Sequence, residues 1–177
     1  MGKDFAWLDD TLIDRLFQPL ADWMNHHMAF GPSRAARTAI DLASLSWILA
    51  QLGDMSNAVQ QHDARTCVFL GLAVVLGLFA FTILRNVFQR ADSGSGSDGQ
   101  AQANPLRPGM QVHRVVCLVW MIGLAAKTIM EPADFTALAL LAVGVFGTAA
   151  VYIGACSNTP PMRRETSRDL AYAGGRF

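Results

Sequence analysis

The sequence predicts an all-α integral membrane protein, with four transmembrane helices preceded by an amphipathic interfacial helix. Three observations lead there. The 177 residues are 52% hydrophobic and 16% charged, where a soluble domain is about a quarter charged. Two stretches, 66–84 and 135–157, run for a bilayer's width without a charged residue. The arginines cluster on one side of those stretches.

Residues 1–30 read as an arm. In DFAWLDDTLIDRLFQPLADWMNHHM, Phe5, Leu8, Leu12, Leu16, Leu20 and Trp23 recur three or four residues apart, which is the spacing of one helical face. Pro19 is expected to kink the helix or end its first part. The polar side sets Asp4, Asp9, Asp10, Asp14 and Asp22 against Lys3 and Arg15, whereas a helix built for anionic lipid is basic there. Two readings stand: an interfacial helix anchored by Trp7, Leu12 and Trp23, or an arm docked on a protein with a basic or apolar surface. The acidic start MGKDFAWLDD shows no apolar core of a cleaved secretory signal.

The next segment, RTAIDLASLSWILAQLGD, could cross the bilayer or lie along it. Taken as a span, 38–53 covers about 24 Å of a roughly 30 Å hydrocarbon core, short but workable with local thinning. Asp41 would cost about 2.5–3.5 kcal/mol at the centre of such a helix. It lies instead near one end, with Arg37 four residues before it as a pairing partner. Crossing is the expectation.

The remaining spans follow from length. Residues 66–84, nineteen without a charge, cover about 28 Å. Residues 115–130 contain Lys127 one turn from the end, where a lysine can snorkel to the headgroups. Residues 135–157 are long enough to span with tilt. Between the last two lies EPAD, in which Pro132 forbids a continuous helix, so the pair should form an antiparallel hairpin. Residues 91–109, rich in glycine, serine and small polar residues, cannot bury enough apolar area to offset chain entropy and are expected to be a disordered linker. Its GSGSDG is no phosphate loop, since the lysine and the following helix are missing. Residues 158–177 are a basic tail.

Sidedness comes from the cations. Arg85, Arg90, Arg107 and Arg114 lie between the 66–84 and 115–130 spans, and Arg163, Arg164, Arg168 and Arg176 follow the last one. The positive-inside tendency places both regions in the cytoplasm and EPAD outside. If 38–53 crosses, Lys3, Arg15, Arg34 and Arg37 join the inner side, giving twelve cations inside and two outside rather than eight and six. Both termini are then cytoplasmic. Two lysines against twelve arginines, with abundant alanine and glycine, is the bias of a GC-rich bacterium, so the expected location is a bacterial inner membrane.

Chemistry is sought first at intramembrane ionisable groups. Arg37, Asp41, Ser44 and Gln51 share a helix face, and Asp41 shares a leaflet with His113 and Arg114. The structural reading pairs Asp41 with Arg37, Arg114 or His113, holding the first span against the third; the functional one makes that face an ion or proton pathway. Haem would need facing histidines at membrane depth, and His26, His27, His62 and His113 offer no such pair. Cys67, Cys117 and Cys156 are dispersed in apolar segments, without metal spacing, and read as small buried hydrophobes. No hydrolase or protease motif is present, and the formal net charge of zero gives no general attraction to nucleic acid. No catalytic, cofactor or metal residues are therefore assigned.

Small residues provide the last signal. Ala73, Gly77 and Ala80 share one face of the second span, and Gly147, Ala150 and Gly154 one face of the fourth. Such faces let membrane helices approach closely, within one bundle or between chains. The expected function is a non-catalytic accessory, assembly or scaffold protein whose partners are lipid and either another protein or itself. The alternative is an oligomeric channel-, holin- or transporter-like permeation protein.

Overall fold

The computed structural model describes residues 3–28, 30–93, 106–130 and 134–156. Every regular element among them is helical: α1 (Lys3–Leu12), a wide π turn (Ile13–Phe17), α2 (Gln18–Met28), α3 (Pro32–Gln60), α4 (Ala64–Ser93), a single turn α5 (Leu106–Gly109), α6 (Gln111–Met130) and α7 (Phe135–Ile153). Of these, α4, α6 and α7 are long and apolar enough to cross a membrane, marking a multi-pass membrane protein. The basic tail 158–177, Pro132 and the GSGSDG stretch lie outside the described residues.

The helix α3 is much longer than the 38–53 segment. Its 29 residues extend for about 43 Å. It begins at Pro32, whose missing N–H and preset φ suit a first helical position, after extended Gly31. At the far end His62 takes a left-handed φ of 58°, reversing the chain into α4. There Asp63 caps α4: its carboxylate accepts from the backbone N–H of Arg65 at 3.1 Å and of Thr66 at 3.2 Å, and from the Thr66 hydroxyl.

These bonds, the Thr66 hydroxyl foremost, hold the Asp63 carboxyl below its ordinary range. A carboxylate so depressed stabilises the folded state above its unfolded pKa, and the contribution fades as pH falls through the folded one. Asp63→Asn is therefore expected to lower the melting temperature at neutral pH, with the difference from wild type shrinking in acid. A pH series of thermal melts in detergent checks this.

Four helices stand in a bent row, α4–α3–α7–α6, each antiparallel to its neighbours. The spacing of small residues sets the contacts. Trp47 of α3 donates its indole N–H to the Ala73 carbonyl at 3.2 Å, and its ring lies against Gly77 with no room for a Cβ. Asp41 meets Arg85 at 3.3 Å, one to two turns nearer the arm. Gly53 sits beside Phe135 and Thr136 at the other end, so α3 runs alongside α7 for most of its length. Gly144 packs on Met121 of α6, and Thr148 donates its hydroxyl to the Cys117 carbonyl at 3.2 Å. Asp134 caps α7 by accepting from the Ala137 N–H at 2.7 Å, which gives the α6–α7 hairpin a defined entry.

The arm closes one end of this row. Ile13, Ala21, Ala36, Ile40, Phe88 and Tyr152 are among a core in which arm residues pack with α3, α4 and α7. Pro19 neither breaks nor ends the arm's helix. The wide turn just before it, closed by the Gln18 N–H on the Ile13 carbonyl, absorbs the missing hydrogen bond and the ring's bulk.

That turn also changes which face looks inward. Residues four apart drift by roughly 40° per step in an α-helix, and a wider turn drifts the other way. Asp9, Ile13, Phe17 and Ala21 consequently stay near one line, and all four are buried or half-buried. Trp7, Leu16, Leu20 and Trp23 are exposed instead.

Two further points differ from the sequence reading. The linker assigned to 91–109 is helical at both edges, through Ser93 and over Leu106–Gly109. Asp9, placed on the water-facing side of the arm, is 2% exposed. The physical reason is a partner 105 residues away.

Candidate functional site

That partner is Arg114, on the first turn of α6. Its Nε donates to both Asp9 oxygens, at 3.0 and 3.2 Å, and Nη2 donates to Oδ2. Both side chains are 1% exposed, and the guanidinium carbon sits 5.9 Å from the centre of the Tyr152 ring. On the ring's own account, Phe17 stacks with Tyr152 at 4.7 Å between centroids. Arg114 Nη1 is buried with no hydrogen-bond partner among the described residues. A second, wetter layer surrounds it: Arg107 Nη2 reaches Asp10 at 3.1 Å and Asp14 at 3.0 Å, all three partly exposed. The arm's acidic face has found its basic surface within its own chain.

The polar candidates are dispersed. Asp41 ion-pairs with Arg85 of α4, not with α6, because Arg114 is already engaged by Asp9. The proposed link from the first span to the third through Asp41 therefore gives way to one from α3 to α4. Arg37 Nε donates to the Ser33 carbonyl at 3.2 Å. The Ser44 hydroxyl donates back to the Asp41 carbonyl at 2.8 Å, within its own helix. Gln51 is 7% exposed while Asp41 is open to the surroundings, so the face these four share is not one continuous surface. His113 is exposed at the start of α6.

The small-residue faces divide as well. Ala73 and Gly77 take Trp47, as described above. Ala150 is fully buried, and Gly154, just past α7, lies against the Phe88 ring. Gly147 is different, with nothing within 4 Å of where a Cβ would stand. The α6–α7 contact uses Gly144 and Thr148 instead, a small pair four residues apart that the sequence reading passed over. Of the arm anchors, Trp7 and Trp23 face outward, while Leu12 packs towards the core.

Gly147 and Ala80 border an apolar cleft of about 220 Å³. Its floor is α7, its walls are Phe81 and Leu84 of α4 and Cys117 and Trp120 of α6, and Trp47 closes one end. The walls α4 and α6 flank it without packing closely on one another. No protein-family model, curated protein or solved structure matches this chain. Among the described residues, no group of three or more His, Cys, Asp or Glu side chains could hold a metal ion, and the three cysteines form no disulfide, with Cys156 buried and the others half-buried.

One end of the bundle carries a helix pinned by a buried ion pair, with an outward row of large apolar side chains. Outside the row, Val68, Phe69, Leu72, Val75 and Phe79 of α4 are all more than half exposed, a surface that hydrocarbon solvates and water does not.

Proposed function

We propose that this chain is a four-helix inner-membrane protein, both termini cytoplasmic, that acts without catalysis as an accessory, assembly or scaffold component. The observation that carries this reading is the arm. Its inner face is locked by Asp9–Arg114 while Trp7, Leu16, Leu20 and Trp23 remain exposed on the outer one. A rigidly presented apolar row beside the inner membrane face suits contact with a partner protein, and its order reduces the entropy cost of binding.

Crossing by α3 is supported by its neighbours and its outer face. It lies antiparallel to α4 and α7, and its outward residues include Leu42, Leu45, Leu49 and Leu52, three or four apart, as a lipid-facing stripe would be. Among the polar groups that depress its hydropathy, Asp41 pairs with Arg85, Gln51 is buried, and the Ser44 and Ser46 hydroxyls donate to carbonyls of their own helix. With the three native cysteines replaced, Asp10→Cys is expected to resist membrane-impermeant reagent in intact cells, while Gln61→Cys is labelled. Labelling of position 10 from outside would reverse the topology.

Gentle solubilisation followed by size analysis and pull-down tests the role. A defined hetero-complex is expected, weakened by Leu20→Ser with Trp23→Ser while the melting temperature of the isolated chain holds. The exposed Asp41–Arg85 pair favours a second reading, an oligomeric channel-, holin- or transporter-like protein with this pair lining a pathway. A self-ring whose conductance disappears in Asp41→Asn would select it.

A further inference from the structure

We infer that the cleft between α4 and α6 is a binding site for one acyl chain of a membrane lipid. The inference rests on α4 and α6 being membrane spans, and stands apart from the partner reading of the arm. Three observations select hydrocarbon as the occupant.

The first is polarity. The two hydrogen-bonding side chains on the floor and at the closed end are already committed to backbone: Thr148 to the Cys117 carbonyl and Trp47 to the Ala73 carbonyl. A polar ligand would find neither free, and an apolar cavity of this kind does not hold water.

The second is size. At about 220 Å³ the cleft exceeds the roughly 150 Å³ apolar cavity that takes up benzene. It falls short of the roughly 300–1,000 Å³ pockets that enclose a whole small-molecule ligand. A segment of chain fits. A helix from a second copy, about 10–12 Å across with its side chains, is too bulky for that volume.

The third is position. The cleft opens sideways between two candidate spans, in the half of the bundle nearer the arm, as Leu84, Cys117 and Val151 on its lining show. A lipid tail from that leaflet reaches it without leaving hydrocarbon. Gly147 provides room: it lines the cleft, and nothing lies within 4 Å of where its Cβ would stand, so a bulky side chain there would take up part of the space.

The test uses the full chain in phosphatidylethanolamine vesicles whose acyl chains carry a mid-chain diazirine, with crosslinks mapped by mass spectrometry. Labelling at Trp120 and neighbouring cleft residues is expected to exceed that on outward Phe69 and Phe79. Gly147→Leu should lower cleft labelling several-fold and leave the outward positions unchanged. Should Gly147→Leu not fold, Ala80→Leu narrows the same opening and carries the same expectation. Cleft labelling no stronger than outward labelling, or insensitive to filling, overturns the site. So does efficient disulfide formation between copies through Ala80→Cys that lipid does not compete away, which would make the occupant a second chain.

Discussion

Arg114→Met is expected to destabilise the folded chain by about 3–5 kcal/mol, because it strands a buried carboxylate without its partner. Asp9 is 2% exposed and held by two guanidinium nitrogens, so its charge depends on that partner. Asp9→Leu should cost a similar amount for the opposite reason, leaving a buried guanidinium. The double variant Asp9→Leu/Arg114→Met removes both charges and should recover most of the loss, since a buried pair replaced by apolar groups of similar size is often neutral or better. Arg114→Lys should not rescue, as an ammonium lacks the planar fork that meets both oxygens. Arg107→Ala provides the contrast. Its partners Asp10 and Asp14 are more than half exposed, and pairs in that setting contribute at most about 1 kcal/mol. Thermal melts in detergent measure the stability, and hydrogen exchange across residues 3–28 shows whether the arm detaches before the bundle unfolds. If Arg114→Met and Arg107→Ala proved equally mild, the arm would not be held by the buried pair.

Gly77→Leu is the second large effect, expected to disrupt assembly of α3 with α4. Even a Cβ at this position would overlap the Trp47 indole, and overpacking of a tight contact typically costs about 1–3 kcal/mol, occasionally more. The indole cannot simply swing aside, because its N–H is bonded to the Ala73 carbonyl. Combining Gly77→Leu with Trp47→Ala exchanges large for small across the interface and should restore much of the stability. Gly147→Leu, on a face that reads the same in sequence, should fold normally. Size-exclusion profiles and melting temperatures of the three variants decide the matter, and equal damage at Gly77 and Gly147 would contradict the geometry.

The contrast between these two glycines marks where sequence reasoning stops. Both lie on small-residue faces at helical spacing, and spacing alone assigns both to helix packing. Which small face receives a bulky neighbour depends on where Trp47 stands, and Trp47 belongs to another helix. Gly144 and Thr148 were legible as a small pair four apart, yet nothing local ranks that face above the one bearing Gly147, Ala150 and Gly154. The arm shows a similar limit. Its apolar recurrence is visible, and Trp7 and Trp23 do face outward. The wide turn before Pro19 then brings Asp9, Ile13 and Phe17 onto the inward line, a phase shift that a fixed period does not anticipate.

From sequence alone came the helical class, the hydrocarbon-length segments within α4, α6 and α7, and the hairpin between the last two. These are properties of a segment and its solvent: an uncharged run must be covered by something apolar, and its length matches a bilayer whatever its neighbours are. Only the tertiary structure decided that Asp9 is buried, that Asp41 turns to Arg85 rather than α6, and that a cleft opens beside Gly147. The reason is that a charge or a small side chain is indifferent to its own neighbours in sequence. What it does depends on which distant group arrives beside it, and 105 residues separate Asp9 from Arg114.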